Sequence, residues 1–485
     1  MKYFKLLFMF IAFSVVLTTT VFAQWGPDQR LTNTSSSSLL NNNNAWNIAA
    51  SGDTVHVIYA DDQNGAFQVY YTSSYDAGIN WNTPVILSQD ISNIWNYAIT
   101  VSGSTVHVVW INNMANRFLY RRSTNAGAIW SQEGTILTTT QNFDMHCIAA
   151  NGNNVYLVWS DNRHPINNNE IYFISSNDAG LNWGTPQRLT NTGNAIGDGV
   201  PSIAVNGNIL HLVWGRASGY YYRRILYLRS TNYGITWEPE RFLTSDTIDQ
   251  RQPVVAVAGS NVHVTWMDQR NNQIQIYYRM SSDNGANWQQ ETYLTGISYT
   301  ADYQTICAIG NNVHVAWRDF RTIPWHIGYR YSINNGMTWQ SDTILTFNSY
   351  TQEGPSIAAA GSKVHLIWYD NRAGNWEIYY KRNPTGSGVI EQEDKPLSST
   401  SSLLNIYPNP AKSQIAIRYS LPAEIKATIQ LFDISGRLVK TLINEEKKPG
   451  TYRLTLNTNT LSAGIYFLSL ETEEKRIIER LVIIK

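Results

Sequence analysis

Residues 176–183 read Ser176-Asn177-Asp178-Ala179-Gly180-Leu181-Asn182-Trp183, and this pattern, Ser-x-Asp/Asn-x-Gly-x-x-Trp, recurs along the chain. Its six copies are spaced by about fifty residues and occupy positions 74–81, 123–130, 176–183, 230–237, 281–288 and 332–339. In each copy the Asp or Asn side chain can hydrogen-bond the following backbone, the Gly supplies a positive φ, and the Trp buries a large surface. The pattern predicts a repeated turn that a tryptophan anchors to its sheet.

A second period precedes the turns. Segments of the type Val-His-x-x-Trp occur seven times and begin at Val55, Val106, Val155, Leu210, Val262, Val313 and Val364. Each unit reads as four strands: a small apolar run, the Val-His segment, a run into the turn, and a short strand with Leu-Thr. Seven such units predict an all-β fold, a seven-bladed β-propeller around a central channel.

The repeated turns resemble the Asp-box, or bacterial neuraminidase repeat, of sialidases and related β-propellers. This resemblance implies a purely structural role for the acid or amide of each box, namely Asp76, Asn125, Asp178, Asn232, Asp283 and Asn334. The last unit has no box, but Trp25 precedes Leu31 by six residues, as Trp183 precedes Leu189. We therefore expect the N-terminal strand to complete the seventh blade and to remove an open sheet edge.

The N-terminus is typical of an export signal. Lys2 and Lys5 precede an apolar stretch, and Val21-Phe22-Ala23 fits a cleavage site before Gln24. Residues 1–23 are therefore predicted to be a signal peptide, and no later stretch has the roughly twenty apolar residues of a membrane span. Lys plus Arg equals Asp plus Glu, 36 each, which argues against nucleic acid as a partner.

The C-terminal part is a separate region. Residues 24–382 are assigned to the propeller, the Gly-, Ser- and Pro-containing residues 383–402 to a linker, and residues 403–485 to a second domain. That domain contains Asn405-Ile406-Tyr407-Pro408-Asn409-Pro410, Leu431-Phe432-Asp433-Ile434-Ser435-Gly436-Arg437, Leu461-Ser462-Ala463-Gly464-Ile465-Tyr466 and a terminal Arg480-Leu481-Val482-Ile483-Ile484-Lys485. It resembles the C-terminal sorting domain of type IX secretion substrates. The resemblance implies a small Ig-like β-sandwich, the type IX secretion machinery as a partner, passage through the periplasm, and a final place outside the cell or on its surface.

Four tryptophans fall outside the repeat positions: Trp46, Trp95, Trp325 and Trp376. They precede first or third strands, whose loops share the propeller face opposite the boxes, and their blades are neighbours in a closed ring. We predict that they form an arc that binds a ligand, because a pyranose stacks its apolar face on an aromatic ring. Packing between blades is the alternative, since Trp325 and Trp376 share a repeat position with Phe67 and Ile274.

Four blades carry Trp-x-Asp-x-Arg after the second strand, with Arg163, Arg270, Arg321 and Arg372. An Arg fork binds a carboxylate with two hydrogen bonds, so arginines that converge on the channel would hold an acidic sugar. Ion pairs with the preceding Asp161, Asp268, Asp319 and Asp370, which would brace the loops, are the alternative.

Acids that do not repeat are the candidates for catalysis: Asp144, Asp198, Asp249, Asp302 and Glu353. Two of them could form an acid/base pair of a glycoside hydrolase at the channel mouth. The arginine motif of sialidases is not reproduced, because Arg321-Thr322-Ile323-Pro324 has an inserted Thr and lies in the sixth unit. No metal-ligand spacing is present, and no cofactor is predicted.

The leading hypothesis is a secreted, surface-associated propeller that binds a glycan or a protein ligand on its loop face. A sialidase-like glycoside hydrolase and a non-catalytic adhesion or structural protein are the alternatives.

Overall fold

A computed structural model describes residues 24–41, 46–89, 94, 96–112, 114–139, 143–163, 169–192, 197–218, 222–244, 248–296, 298–384, 389–390, 404–407, 411, 414–421, 425–434, 436–448, 450–459, 461–472 and 476–484. It has two compact units, Met1–Glu391 and Gln392–Lys485. Within the described residues, no helix is long and apolar enough to span a bilayer. The predicted signal peptide lies outside the described residues and stays a prediction.

All named elements are β-strands. Those of the first unit are β1 (Gln24–Trp25), β2 (Gln29–Arg30), β3 (Ser38–Leu39), β4 (Ile48–Ser51), β5 (Thr54–Asp61), β6 (Gln68–Ser74), β7 (Val85–Ile86), β8 (Tyr97–Ser102), β9 (Thr105–Asn112), β10 (Arg117–Ser123), β11 (Gly134–Thr138), β12 (Phe143–Asn151), β13 (Asn154–Asp161), β14 (Glu170–Ser176), β15 (Gln187–Arg188), β16 (Asp198–Asn206), β17 (Ile209–Ser218), β18 (Tyr222–Ser230), β19 (Arg241–Phe242), β20 (Gln250–Ala258), β21 (Asn261–Asp268), β22 (Gln275–Ser281), β23 (Thr292–Tyr293), β24 (Ala301–Ile309), β25 (Asn312–Asp319), β26 (His326–Ser332), β27 (Thr343–Ile344), β28 (Gln352–Ala360), β29 (Lys363–Asp370), β30 (Glu377–Asn383) and β31 (Val389–Ile390).

These strands form a ring of antiparallel sheets, as the sequence predicts. Strands β8–β11, β12–β15, β16–β19, β20–β23 and β24–β27 each make one sheet. In the first sheet, β3 and β4 both pair with β5, and β6 and β7 follow. The innermost strands β4, β8, β12, β16, β20, β24 and β28 contact one another in this order, and β28 returns to β4. The fold is a β-propeller, and the sheets of the described residues are consistent with seven blades, numbered 1 to 7 below.

The N-terminal segment completes the last blade. Strand β2 pairs with β30, which gives the sheet β2-β30-β29-β28. The fully buried Trp25 packs edge-on against Tyr329 at 5.1 Å, and the backbone N–H of Gly26 donates to the carbonyl of Arg382 at 2.8 Å. The residue after a box tryptophan makes the same bond, for example Gly184 to Ser175 at 2.9 Å. Trp25 thus replaces the missing seventh box tryptophan.

The six boxes are turns held by their own side chains. Asp178 Oδ1 accepts from the Ser176 hydroxyl at 2.7 Å and from the backbone N–H of Asn182 at 2.9 Å. The two residues Ala179 and Gly180 both have positive φ, 56° and 78°. Equivalent bonds are made by Asp76, Asn125, Asn232, Asp283 and Asn334. Hydrogen bonds from the following backbone and side chains lower the pKa of Asp76, Asp178 and Asp283 to about 2.

The boxes also join neighbouring blades. Trp288 packs edge-on against Tyr227 of the preceding blade at 4.9 Å, and a Cβ on Gly285 would overlap the Tyr227 hydroxyl. That hydroxyl hydrogen-bonds Nδ1 of the repeat histidine His211 at 2.7 Å. One tyrosine therefore contacts its own second strand and the next box.

The second unit contains two sheets. Its strands are β32 (Leu404–Tyr407), β33 (Gln414–Leu421), β34 (Ile425–Asp433), β35 (Leu438–Lys447), β36 (Gly450–Asn457), β37 (Gly464–Glu471) and β38 (Arg476–Ile483). They are ordered β32-β33-β36 and β35-β34-β37-β38. Leu404, Ile417, Leu431 and Leu468 belong to one buried core that both sheets share. The arrangement is consistent with a small β-sandwich.

Candidate functional site

The innermost strands surround an apolar cavity of about 250 Å³ at the axis of the ring. Trp46 belongs to the lining of this cavity and packs against residues of several blades, including Ile148 and Val254. The structure differs here from the predicted rim position. A closed ring of Ala, Val and Ile side chains leaves a void at its axis, and the indole covers part of its wall and adds van der Waals contacts there. Trp95 lies outside the described residues.

The loop face is the edge where first strands begin and second strands end. The boxes are at the other edge, because Ser281 pairs with Val262 at the start of its second strand. In blades 4 to 7 the first strand is irregular near its start, and Val200, Gln252, Tyr303 and Gly354 have positive φ. Such bulges bend a strand and redirect its side chains.

Two of the predicted acids meet at one arginine on this face. Arg318 donates from Nε and Nη2 to the two oxygens of Asp302 at 2.8 and 2.9 Å, and from Nη1 to Glu353 Oε2 at 3.1 Å. The Tyr369 hydroxyl donates to the same Glu353 oxygen at 3.2 Å. Because a guanidinium is only about 2.3 Å across, the nearest carboxylate oxygens are no more than about 8 Å apart. Asp302 and Glu353 are therefore neighbours across blades 6 and 7.

Aromatic rings surround this arginine. Its guanidinium carbon lies 4.4 Å from the ring centroid of Tyr303, 5.0 Å from that of Phe320 and 4.8 Å from that of Trp325. Trp376 packs against Tyr369 at 5.3 Å. Two of the predicted tryptophans thus belong to one group, the Arg318 cluster, which comprises Asp302, Tyr303, Arg318, Phe320, Trp325, Glu353, Tyr369 and Trp376.

A cavity of about 590 Å³ adjoins the cluster, and Phe320 belongs to both. The other lining residues are Gln273, Ser298, Tyr299, Thr300 and Arg321. The Thr300 hydroxyl donates to Gln273 at 2.6 Å, and the Tyr299 hydroxyl donates to Asp342 at 2.9 Å. This surface combines aromatic faces with hydroxyl, amide and guanidinium groups, which is the usual chemistry of a site for a polar small molecule.

The charges of the cluster are mutually neutralising. Burial raises the pKa of Asp302, although Arg318 opposes the shift. Burial lowers the pKa of Arg318, but hydrogen bonds and charges from Asp302 outweigh it, and the net pKa is raised. The guanidinium lies between the two carboxylates, where a glycosidase would hold its sugar. The arrangement is therefore better suited to binding than to bond cleavage.

The remaining acids are paired in the same way. Asp198 accepts from Arg216 at 2.7 and 2.8 Å, and Asp249 accepts from Arg251. Burial raises the pKa of Asp198 against the effect of Arg216. The side chain of Asp144 lies outside the described residues. Sequence reasoning missed these arginines, although Arg318 and Arg216 occupy repeat positions that are not basic in the other blades.

The four repeated arginines brace loops. Each donates to the aspartate two residues before it, as in Arg321 to Asp319 at 2.9 Å. They also lie over tyrosine rings and contact acids near the outermost strands, as Arg372 does with Tyr379 at 4.0 Å and with Asp28 at 2.7 Å. Arg270 and Arg321 follow the same plan, with Glu291 and Asp342 as the outer acids, whereas Arg163 lies over Tyr172 and pairs with Asp161. They point away from the axis, so the expected convergence on the channel is not observed, and the loop-bracing alternative fits.

No group of His, Cys, Asp and Glu suited to a metal ion occurs among the residues that the structure describes.

Comparison with known families concerns the C-terminal unit. Residues 405–485 match the family described as the secretion system C-terminal sorting domain. The protein is therefore exported by type IX secretion to the cell surface or the extracellular space. No curated protein matches the chain.

Solved structures resemble the propeller. One described as a polysaccharide lyase of family PL25, an ulvan lyase, has a TM-score of 0.54 at 10% identity and covers 73% of this chain and 95% of its own. The polysaccharide lyase Uly1 has a TM-score of 0.51 at 8% identity and covers 71% and 91%. The Hadza microbial sialidase Hz136 has a TM-score of 0.39 at 13% identity and covers 58% and 63%. At these identities the two lyases support the β-propeller fold alone.

Proposed function

We propose that this exported protein binds carbohydrate on its loop face, at the Arg318 cluster and the cavity beside it. The observation that carries the proposal is the grouping of Tyr303, Phe320 and Trp325 around one partly buried arginine, next to a cavity of about 590 Å³. A pyranose offers an apolar C–H face for such rings and hydroxyls for the amide, hydroxyl and charged groups around them. The two lyases add that proteins of this fold are described as acting on polysaccharides.

Binding without cleavage is favoured over hydrolysis for a physical reason. Both oxygens of Asp302 accept from Arg318, so this carboxyl group has little freedom to donate a proton to a leaving group. Hydrolysis remains the second candidate, because Asp302 and Glu353 bond the same guanidinium and are no more than about 8 Å apart, close enough for a pair of catalytic carboxylates. A ligand that displaced Arg318 would free both groups.

The binding test is an array of soluble polysaccharides, followed by affinity measurement on any that bind. Trp325→Ala removes a ring that faces Arg318 and is expected to lower affinity about fivefold, since an aromatic contact contributes on the order of 1 kcal/mol. Trp376→Ala should have a smaller effect, because its ring contacts Tyr369 rather than Arg318. Tyr75→Ala is the matched control, an aromatic residue 47% exposed on a box turn, and should bind as the native protein does. Failure to bind any glycan, or equal affinity in all three variants, contradicts the proposal.

Release of reducing ends separates the two candidates. Hydrolysis predicts activity that Asp302→Asn and Glu353→Gln both abolish. A binding protein releases no reducing ends from the glycans that it retains.

A further inference from the structure

We infer that blade 4 carries a second site, which binds the anionic group of a glycan. The inference rests on the proposed function and extends it to acidic polysaccharides. The site is a cavity of about 460 Å³ on the loop face, called the blade 4 cavity, and its lining includes Asp198, Gly199, Gly215, Ala217, Arg223 and Arg251.

The blade 4 cavity lies at the same repeat positions in blade 4 as the Arg318 cluster does in blade 6. Large side chains of that cluster are missing there. Gly199 pairs with Gly215 as Asp302 pairs with Arg318. Ala217 follows Trp214 by three residues, as Phe320 follows Trp317. No atom lies within 4 Å of a Cβ placed on Gly199. Blade 4 has therefore replaced an acid, an arginine and a phenylalanine with two glycines and an alanine, and open space results.

The wall of this cavity offers cationic groups. Asp198 is neutralised by its two hydrogen bonds from Arg216, which also pairs with Glu240. Arg223 is exposed and has no ion-pair partner among the described residues. Arg251, whose side chain is 46% exposed, contacts one oxygen of Asp249 through Nε and Nη2, and its Nη1 makes no such contact in the described part of the chain. An unpaired guanidinium is the side chain best suited to a planar carboxylate or a sulfate ester.

Three probes test the inference by calorimetry: polygalacturonate, dextran sulfate and uncharged dextran. The native protein should bind at least one anionic probe at least tenfold more tightly than dextran, with an affinity that falls as salt rises. Preference for polygalacturonate identifies the ligand group as a carboxylate, and preference for dextran sulfate as a sulfate ester. Arg223→Ala and Gly199→Leu should each lower this affinity at least tenfold, the second by filling the cavity.

Gly134→Leu is the matched control, because Gly134 lacks a positive φ and a Cβ there meets only a carbonyl oxygen at 3.9 Å. It should bind the anionic probe normally. Equal affinity for charged and uncharged probes, or unchanged affinity in both Arg223→Ala and Gly199→Leu, overturns the inference. Trp325→Ala separates the two proposals: if it binds normally while Arg223→Ala does not, the aromatic site fails and the anionic site stands.

Discussion

At the scale of single residues, the aromatic side chain in the third strand is where two blades are joined. Tyr227 hydrogen-bonds His211 within its blade and packs against Trp288 of the next one. The glycine of the next box, Gly285, leaves room for the hydroxyl. Blade 3 has Tyr156 at the histidine position and Phe173 at the tyrosine position. The two rings stack on each other, and Phe173 packs against the tryptophan of the next box. The box glycine is thus required for two reasons, its positive φ and this close contact.

Two glycine variants separate those reasons. Gly285→Ala introduces a methyl group that overlaps Tyr227 at a φ of 77°, so we expect the free energy of unfolding to fall by about 2–4 kcal/mol. Gly259→Ala is the control, since φ is 58° there and no atom lies within 4 Å of the new Cβ, and it should cost only about 1 kcal/mol. Urea unfolding measures both. Equal losses would show that the contact with Tyr227 has no energetic effect.

The contribution of the histidine–tyrosine pair to stability can be tested by introducing the tyrosine–phenylalanine pair that blade 3 has at the same two positions. Tyr278→Phe leaves Nδ1 of the buried His263 without the hydroxyl that lies 2.7 Å away, and should reduce unfolding free energy by about 1–3 kcal/mol. The double variant His263→Tyr/Tyr278→Phe copies blade 3 and should recover part of this loss. A double variant less stable than Tyr278→Phe alone would contradict the idea that the two arrangements are equivalent.

At the scale of elements, sequence and structure agree where the repeat determines the outcome. The six-residue step from Trp25 to Leu31 predicted that β2 would complete blade 7, and the pairing of Gln29 with Tyr380 shows it. The neighbours of Asp302 were not predictable in this way, because its position opposite Arg318 depends on a bulge at Tyr303. The position of Trp46 was not predictable, because the axial cavity that it lines exists only once the ring has closed.

The N-terminal segment that completes blade 7 should contribute more to stability than its few residues suggest. Trp25→Ala removes a fully buried indole from the packing against Tyr329, and we expect a loss of about 3–5 kcal/mol. Limited proteolysis should then cut first in blade 7, since β30 loses the strand that covers its edge. Val85→Ala, in the exposed outer strand β7, is the control and should change stability by less than about 0.5 kcal/mol. Cleavage that begins in another blade would show that ring closure does not depend on Trp25.

At the scale of the whole molecule, export is assigned to the C-terminal unit. That unit has its own core around residues such as Ile417 and Leu431, and residues 405–485 match the sorting domain. Deletion of residues 403–485 is therefore expected to leave the protein in the periplasm, detected by cell fractionation. A second type IX substrate in the same cells should still reach the medium. Export of the truncated chain would assign the signal elsewhere.

Stability should also depend on pH through histidines that the fold keeps neutral. Burial lowers the pKa of seven histidines to about 3 or 4, namely His56, His107, His146, His211, His263, His314 and His365. In the unfolded chain these groups protonate near pH 6.5, so between pH 6.5 and about 4 the unfolded state binds more protons. The free energy of unfolding should therefore be greatest above pH 6.5 and fall as the pH decreases through this window. The box carboxylates have pKa values of about 2 in the folded protein, lowered from 3.8. Their protonation therefore reduces the free energy of unfolding only at a pH below the histidine window.

The slope of unfolding free energy against pH identifies the groups that cause the pH dependence. Unfolding free energy measured against pH between 6.5 and 5 should report the uptake of several protons, approaching one for each buried histidine. Burial raises the pKa values of Asp198 and Asp302, so at these two groups the folded state binds more protons than the unfolded state. Their contribution to the slope has the opposite sign but comes from only two groups. The variant His211→Tyr/Tyr227→Phe, which copies blade 3, should reduce the slope by about one proton, because the blade then contains no histidine to protonate. A slope that is flat above pH 5, or unchanged in this variant, would assign the pH dependence to the carboxylates rather than to the histidines. It would also contradict the conclusion that neutral imidazoles hold six of the blades together.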